Sequence, residues 1–500
     1  MTRATLVIAS LLSLLVLPLT ACAEGPNTTE LDRAIRTALK EWKVPGAAVV
    51  IVRDDKVIYL AGHGVKELGG KAAVTPDTLF PLGSCTKAFT TTAMAMLVDE
   101  KRMGWDDPVR KHVPFFRLSD PLADSQVTLR DLVTHRTGLA PHDLLWYHAD
   151  WTGEEAVRRV GRLPLDRPFR TTFQYQTTMF TAAGLAVASA SKTSWADLIE
   201  KRLFAPLGMK TAGCTTRAFK SDDRTSGHRL DDRREVVVLR AWYPLERPEP
   251  AGSIHTSARD LAPWLRLHLA RGCLDGKRLV SAAALGETHT PQMVIPLEGE
   301  ARILHPETRQ MSYGMGWVIQ DYKGQRLVSH AGVIDGFRVQ IALVPRARLG
   351  IAVLANLHQT RMNLALTYHL LDLLLGLKGR DWNAYLLREV EKDRKAHEAD
   401  WQRRLSEQHQ GTRPSLGLAS YAGTYEHPAY GEARVVLERG HLVWRWSTFT
   451  CPLEHFHYDT FLTRHELLGP FLLTFALDGA GKVAEVAAGG LVGVTFKRKR

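Results

Sequence analysis

Cysteine is scarce in this chain of 500 residues, five in all, and no two of them form a C-x-x-C pair. Their wide separation, with no such pair, argues against a zinc ribbon or a disulfide scaffold. Long apolar runs are equally few. Beyond residues 6–19 none approaches the roughly twenty residues of a membrane-crossing helix, which excludes a polytopic membrane protein. Internal repeats and low-complexity tracts are missing, and an apolar share of 45% excludes a disordered or collagen-like chain. Dense charge is also rare. The formal net charge is +12, yet arginine is scattered and the one compact basic run is Lys497-Arg498-Lys499-Arg500. Such a pattern serves solubility and surface attraction and gives no reason to expect a nucleic-acid partner.

What is present begins with the first residues. Arg3 precedes the apolar stretch at 6–19, and Thr20-Ala21-Cys22-Ala23 follows it, which is the layout of an export signal. Leu19-Thr20-Ala21-Cys22 is similar to a bacterial lipobox, in which Cys22 becomes a lipidated first residue attached to a membrane. Ala21-Cys22-Ala23 equally fits ordinary signal cleavage. Residues 1–22 are therefore expected to be a signal peptide, and the mature protein to be exported, either periplasmic or anchored to a bacterial envelope as a lipoprotein. Only Cys85, Cys214, Cys273 and Cys451 would then remain.

A chain of this length exceeds one ordinary core, so roughly two or three domains are expected. Leu31, Ile35, Leu39 and Trp42 recur at helical spacing until Pro45-Gly46. Residues 47–52 and 57–61 are apolar and β-branched around Asp54-Asp55-Lys56, which predicts a hairpin. Residues 86–100 read as a helix, and helix-like segments alternate with Pro/Gly-rich loops for most of the next two hundred positions. Strand character returns at 327–329, 337–344 and 349–354, with 345–348 as a turn, and an amphipathic stretch follows at 364–375. The simplest assembly is an α+β domain over 27–380. Its antiparallel sheet is built from both ends of the domain and flanked by helices, a mainly helical insert lies beside it, and the cleft between the two parts is the natural site. Residues 381–413 are highly charged and predict a solvated helical linker. Residues 414–500 contain short strands at 433–437, 442–446, 471–477 and 492–496, which predict a small antiparallel β domain or barrel.

Candidate chemistry centres on Ser84-Cys85-Thr86-Lys87, directly after Pro81-Leu82-Gly83 and at the start of the 86–100 helix. Ser and Lys three apart share a helix face, so the amine can reach the hydroxyl. The positive helix N-terminus disfavours the ammonium and favours an oxyanion, and a neutral Lys is the base that a Ser nucleophile needs. The spacing alone is weak, because about two matches are expected by chance in a chain this long. Ser189-Ala190-Ser191-Lys192 is indeed a second match, placed where Ser and Lys commonly end a helix. Two later features single out the first copy: Tyr175-Gln176-Thr177, and His330-Ala331-Gly332 at the end of a predicted strand. Their order is that of serine β-lactamases and penicillin-binding proteins.

At these positions, and at 127–139 (VTLRDLVTHRTGL), 204–209 (FAPLGM), 251–261 (AGSIHTSARDL) and 313–317 (YGMGW), the sequence resembles the serine β-lactamase-like family. That family holds class C β-lactamases, D-Ala-D-Ala carboxypeptidases and esterases, and the likeness covers roughly residues 31–375. Residues 421–461 resemble the β domain often appended to these hydrolases, and that part could cover the cleft or grip an envelope partner. The resemblance implies Ser84 as nucleophile, Lys87 as its activating partner and Tyr175 as a second acid/base group. It also implies an oxyanion hole from the backbone N–H groups of Ser84 and Val333, with His330, Gly332 and Thr177 on the substrate side.

Two departures bear on the substrate. Thr177 stands where Asn is common, and Ala331 where Ser or Thr is frequent, which moves the expectation from β-lactams toward esters or small amides. The alternatives within the family are a β-lactamase or a D-Ala-D-Ala carboxypeptidase or aminopeptidase. The alternative of another class is an inactive envelope-binding module. A small-molecule or peptide substrate is expected, with no cofactor, no metal and no obligate protein partner. A Ser-His-Asp triad through His135 and Asp131 is disfavoured, because that segment resembles a structural helix end. His455, His457 and Asp459 lack a further ligand at useful spacing for a metal.

Overall fold

The computed structural model describes residues 27–217, 219–245, 249–489 and 493–499. The expected signal peptide, with Cys22, lies outside the described residues. Helix α1 (Thr28–Glu41) starts at Asn27, whose side chain accepts a hydrogen bond from Glu30 N at 2.9 Å. Its apolar positions Leu31, Ile35 and Leu39 form the buried face. Strand β1 (Gly46–Arg53) follows, and its unbroken apolar run has a simple cause, burial on both faces. Ala47, Val49 and Ile51 pack toward α1, and Ala48, Val50 and Val52 toward the helices opposite. Asp54 and Asp55, at φ +49° and +65°, make the tight turn into β2 (Lys56–Gly64).

The remaining strands of this sheet are β3 (Met293–Val294), β4 (Thr308–Tyr313), β5 (Val318–Tyr322), β6 (Gln325–Ile334), β7 (Phe337–Val344) and β8 (Leu349–Ala355). Their order is β2-β1-β8-β7-β6-β5-β4-β3, antiparallel throughout. Val50 pairs with Ala352, so the sheet is indeed closed from the two ends of the domain. Helix α1 covers one face. The other face carries α2 (Thr86–Asp99) and α4 (Ala258–Leu269), with α3 (Thr177–Ser191) packed on α2 and α5 (Met362–Leu374) back on the α1 side. The architecture is the α+β arrangement expected.

Helix α6 (Trp382–Ser406) buries only Trp382 and Leu386, and the Trp382 indole donates to Asp372 Oδ2 at 2.8 Å. The rest of α6 faces water or is half-buried. A closed antiparallel barrel of eight strands follows: β9 (Gly423–His427), β10 (Gly431–Glu438), β11 (His441–Trp446), β12 (Phe449–His457), β13 (Thr460–His465), β14 (Gly469–Leu477), β15 (Val483–Ala488) and β16 (Val494–Arg498). Pairing of Tyr425 with Arg498 closes it. Its core is contiguous with the helical side of the first domain's core. Among the described residues no helix is long and apolar enough to cross a membrane.

Candidate active site

The cleft exists because two strands stop pairing at different points. Pairing of β5 with β6 ends at Val318 and Ser329, whereas β6 continues with β7 as far as Ile334 and Phe337. One edge of residues 330–334 is therefore open on the β5 side. Against it lies the 3-10 turn Gly83–Cys85, which leads into α2. Gly83 has φ +50°, and a Cβ there would sit 2.8 Å from Val333 N; a Cβ on Gly332 would sit 1.8 Å from Leu82 O. Only glycine fits at either place. The two glycines bring the peptide units of Ser84 and Val333 together, as an oxyanion hole requires. The Cys85 thiol donates to His330 O at 3.3 Å and fastens the turn to the strand.

Lys87 lies in the first turn of α2, fully buried, with Nζ 3.0 Å from Ser84 Oγ and 3.0 Å from Ala251 O. The Ala251 carbonyl is held there because Thr90 donates to Pro250 O at 2.7 Å and Ile254 N donates to Thr86 Oγ1 at 3.1 Å. Hydroxyls buried along α2 thus serve the loop that positions the amine. Burial brings the Lys87 ammonium down to about 7, against the opposing pull of Asp143 and Glu249. Glu249 accepts from Thr181 Oγ1 at 2.7 Å and Ala251 N at 3.2 Å, and burial raises its carboxyl above the ordinary range.

Tyr175 precedes α3, and Lys87 Nζ stands 5.0 Å from its ring centroid. The ring is packed against His135, 4.2 Å between centroids, and meets Tyr313 edge-on. Burial pushes the phenol well above its usual range, and the neighbouring Ser84 hydroxyl offsets part of that. No residue among those described completes an aligned hydrogen bond to the Tyr175 hydroxyl. At neutral pH Tyr175 is a proton donor, and Lys87 is the group able to accept one.

His330 lines the cleft, with both ring nitrogens engaged. Nδ1 lies 2.7 Å from Ala331 O and so carries the proton, which leaves Nε2 to accept from Tyr313 Oη at 3.0 Å. Burial, aided by Lys87, lowers its pKa to about 3, so it presents no positive charge to a carboxylate. Thr177 opens α3 and also lines the cleft. Gln176 between them points inward, its amide held by Thr137 Oγ1 and Leu139 O.

The disfavoured triad does not assemble. Asp131 is paired with Arg136 and Arg170 at 2.6 and 2.7 Å, and His135 Nδ1 accepts from Gln176 N. The second S-x-x-K ends α3, where Lys192 is an exposed C-cap. Asp459 turns to Ser415 and Tyr421, and His455 Nε2 lies 2.9 Å from Tyr458 O. Among the described residues no group of three or more His, Cys, Asp or Glu could hold a metal ion.

The cleft has a volume of about 460 Å³. Trp146, Phe173, Leu245, Ile295, Met311 and Ile334 give it apolar walls, and Asp143 and Glu249 are its carboxylates. Sequence reasoning assigned no role to Asp143, Glu249, Ala251 or Tyr313. Ala251 and Tyr313 lie in the family-like segments at 251–261 and 313–317; the two carboxylates stand in loops that no pattern marks.

Fold and site together define a β-lactamase/transpeptidase-like protein. A family model described as Beta-lactamase matches residues 31–375, and the chain belongs to that family, whose members are serine hydrolases. Residues 407–496 match a domain of unknown function, DUF3471. The chain is 28% identical over 93% of its length, and 88% of the relative's, to unguisins hydrolase ungD of Aspergillus violaceofuscus (strain CBS 115571). It is similar in fold to the octameric penicillin-binding protein homologue from Pyrococcus abyssi, with TM-score 0.61, 22% identity, and 93% and 98% of the two chains covered. It is also similar in fold to the D-amino acid amidase from Ochrobactrum anthropi SV3, with TM-score 0.57, 21% identity and coverage of 69% and 98%.

Proposed function

We propose that the protein is an exported hydrolase that forms an acyl-enzyme on Ser84 from an ester or a peptide-like amide, with an apolar group beside the scissile carbonyl. The observation that carries this is the buried Lys87 amine 3.0 Å from Ser84 Oγ, with its pKa brought to about 7. Neutral Lys87 takes the Ser84 proton as Oγ attacks the carbonyl carbon, and the N–H groups of Ser84 and Val333 receive the developing oxyanion. Tyr175, protonated, passes its proton to the leaving group and is reprotonated from Lys87. Water then attacks the acyl-enzyme, with Lys87 again as base. The apolar walls favour an apolar acyl group. The cleft carboxylates Asp143 and Glu249, together with neutral His330, disfavour substrates that bring a carboxylate of their own, as β-lactams and D-Ala-D-Ala peptides do. The hydrolase names of the relative and the amidase neighbour support the same reaction class.

The test is labelling with a fluorophosphonate probe alongside turnover of p-nitrophenyl esters, aminoacyl amides, nitrocefin and D-Ala-D-Ala peptides. Labelling at Ser84 with turnover of esters or amides is expected, and Ser84→Ala should abolish both. A protein that takes no label and turns over none of these is a binding module instead.

A further inference from the structure

The rim of the cleft is held from outside the catalytic domain. Residues 142–151 leave the domain surface as a loop whose first part, the 3-10 turn Asp143–Leu145, supplies Asp143 to the cleft, with Trp146 directly after it. Tyr147 then donates to both Asp335 carboxylate oxygens, at 2.9 and 3.0 Å. Asp335-Gly336 is the turn between β6 and β7, two residues beyond Val333, so this loop braces the strand end that faces Ser84. His142 and His148 bracket the segment, and both have left-handed backbone, φ +48° and +50°. Residues with a Cβ keep that conformation when their surroundings impose it.

The barrel reaches both histidines, and at His148 it does so alongside Tyr243 of the catalytic domain, whose hydroxyl accepts from His148 N at 2.8 Å. The Tyr430 hydroxyl lies 2.8 Å from His142 Nδ1. The Ser447 and Thr448 hydroxyls, in the β11–β12 turn, donate to His148 O at 2.9 and 2.7 Å. The His148 ring meets Phe449 edge-on, Trp151 meets Trp446, and Arg159 and Arg162 donate to Ala429 O and Pro428 O at 3.0 and 2.9 Å. Among the described residues the barrel contributes none of the cleft lining; it grips the segment that does.

We propose that the C-terminal barrel is a positioning element for the catalytic cleft: Tyr430, Ser447 and Thr448 hold residues 142–148 in the conformation that walls it, and so set which acyl groups it admits. The consequence for substrate choice rests on the hydrolase reading above. The holding of the rim does not, and the two are tested separately on the full-length chain.

Hydrogen–deuterium exchange of residues 142–151 is compared among wild type, Ser447→Ala/Thr448→Val, Tyr430→Phe and the conservative Thr448→Ser, with exchange in β12 as the check that the barrel is folded. The double variant should exchange the 142–151 amides about tenfold faster, while Thr448→Ser stays close to wild type. In turnover, KM for a p-nitrophenyl ester with a bulky aromatic acyl group should rise about fivefold in the double variant, with kcat and the KM of p-nitrophenyl acetate within about twofold of wild type. Unchanged exchange in the double variant overturns the proposal, and so does faster exchange with every KM unmoved. Faster exchange in a wild-type background that turns over no ester at all leaves the clamp standing and removes the hydrolase reading instead. Loss of β12 protection moves the decision to Tyr430→Phe, whose faster exchange at 142–151 supports the clamp and whose unchanged exchange overturns it.

Discussion

Two opposing effects meet on the Lys87 amine, and their balance decides whether Ser84 has a base at physiological pH. Asp143 and Glu249 favour the ammonium, and burial disfavours it; burial wins by a margin on the order of 5 kcal/mol, since the group falls from 10.5 to about 7. The amine must be neutral to accept a proton, so kcat/KM for an ester should rise with pH through about 7 and level off above it. Glu249→Gln removes one of the charges that favour the ammonium, and the rise should therefore move to lower pH; a pH profile that stays in place or moves upward counts against the assignment. That Ser84, Lys87 and Tyr175 lie together was legible in the sequence, from local spacing and from chain order. Asp143 and Glu249 were not, because separate loops bring them to Lys87 only on folding. His330 was expected on the substrate side of the cleft, and its neutrality follows from burial and the neighbouring Lys87, which no local pattern reveals.

At the scale of elements, the site depends on a turn and a strand approaching more closely than side chains permit. Gly332→Ala would drive a methyl carbon into Leu82 O, and the strand or the nucleophile turn must shift to relieve it. Such overpacking should cost about 3 kcal/mol of stability. A misplaced oxyanion hole should slow labelling of Ser84 about a hundredfold. Gly286→Ala is the control, since Gly286 stands inside the helix Ala282–Thr288 with nothing within 4 Å of the added carbon; it should stabilise by about 0.5–1 kcal/mol. Thermal unfolding and probe-labelling rates check both. The β1–β2 hairpin was readable from its apolar runs and the aspartates between them. Strand β6 was read over 327–329 alone, because His330, Ala331 and Gly332 interrupt the apolar pattern that marks it. The edge strand β3 and its neighbour β4 escaped reading because they lack a continuous apolar run, and the choice between a small β domain and a barrel stayed open because closure is a pairing between the two ends of that domain.

The whole molecule stores several neutral histidines in its interior. Burial lowers His289 to about 3 and His255 and His305 to about 4, against an ordinary 6.5. Between those values the unfolded chain binds protons that the folded chain refuses, so stability rises with pH in that range. The unfolding midpoint should fall modestly from pH 8 to about 7, because over that range the unfolded chain holds a Lys87 proton that the folded chain gives up, and fall again as the pH drops from about 6.5 toward 4; a flat midpoint between 6.5 and 4 would show that these rings are protonated in the folded protein.

Pairing of β1 with β8 joins residues near the start of the chain to residues near 350. During synthesis the β1–β2 hairpin therefore emerges long before its second neighbour exists. Until Leu349–Ala355 arrives, β1 presents an unpaired edge with apolar side chains on both faces, the kind of surface on which chains stick to one another. The nascent chain must be kept apart from its own copies for most of its translation, and completion of the central sheet becomes the step that ends that exposure.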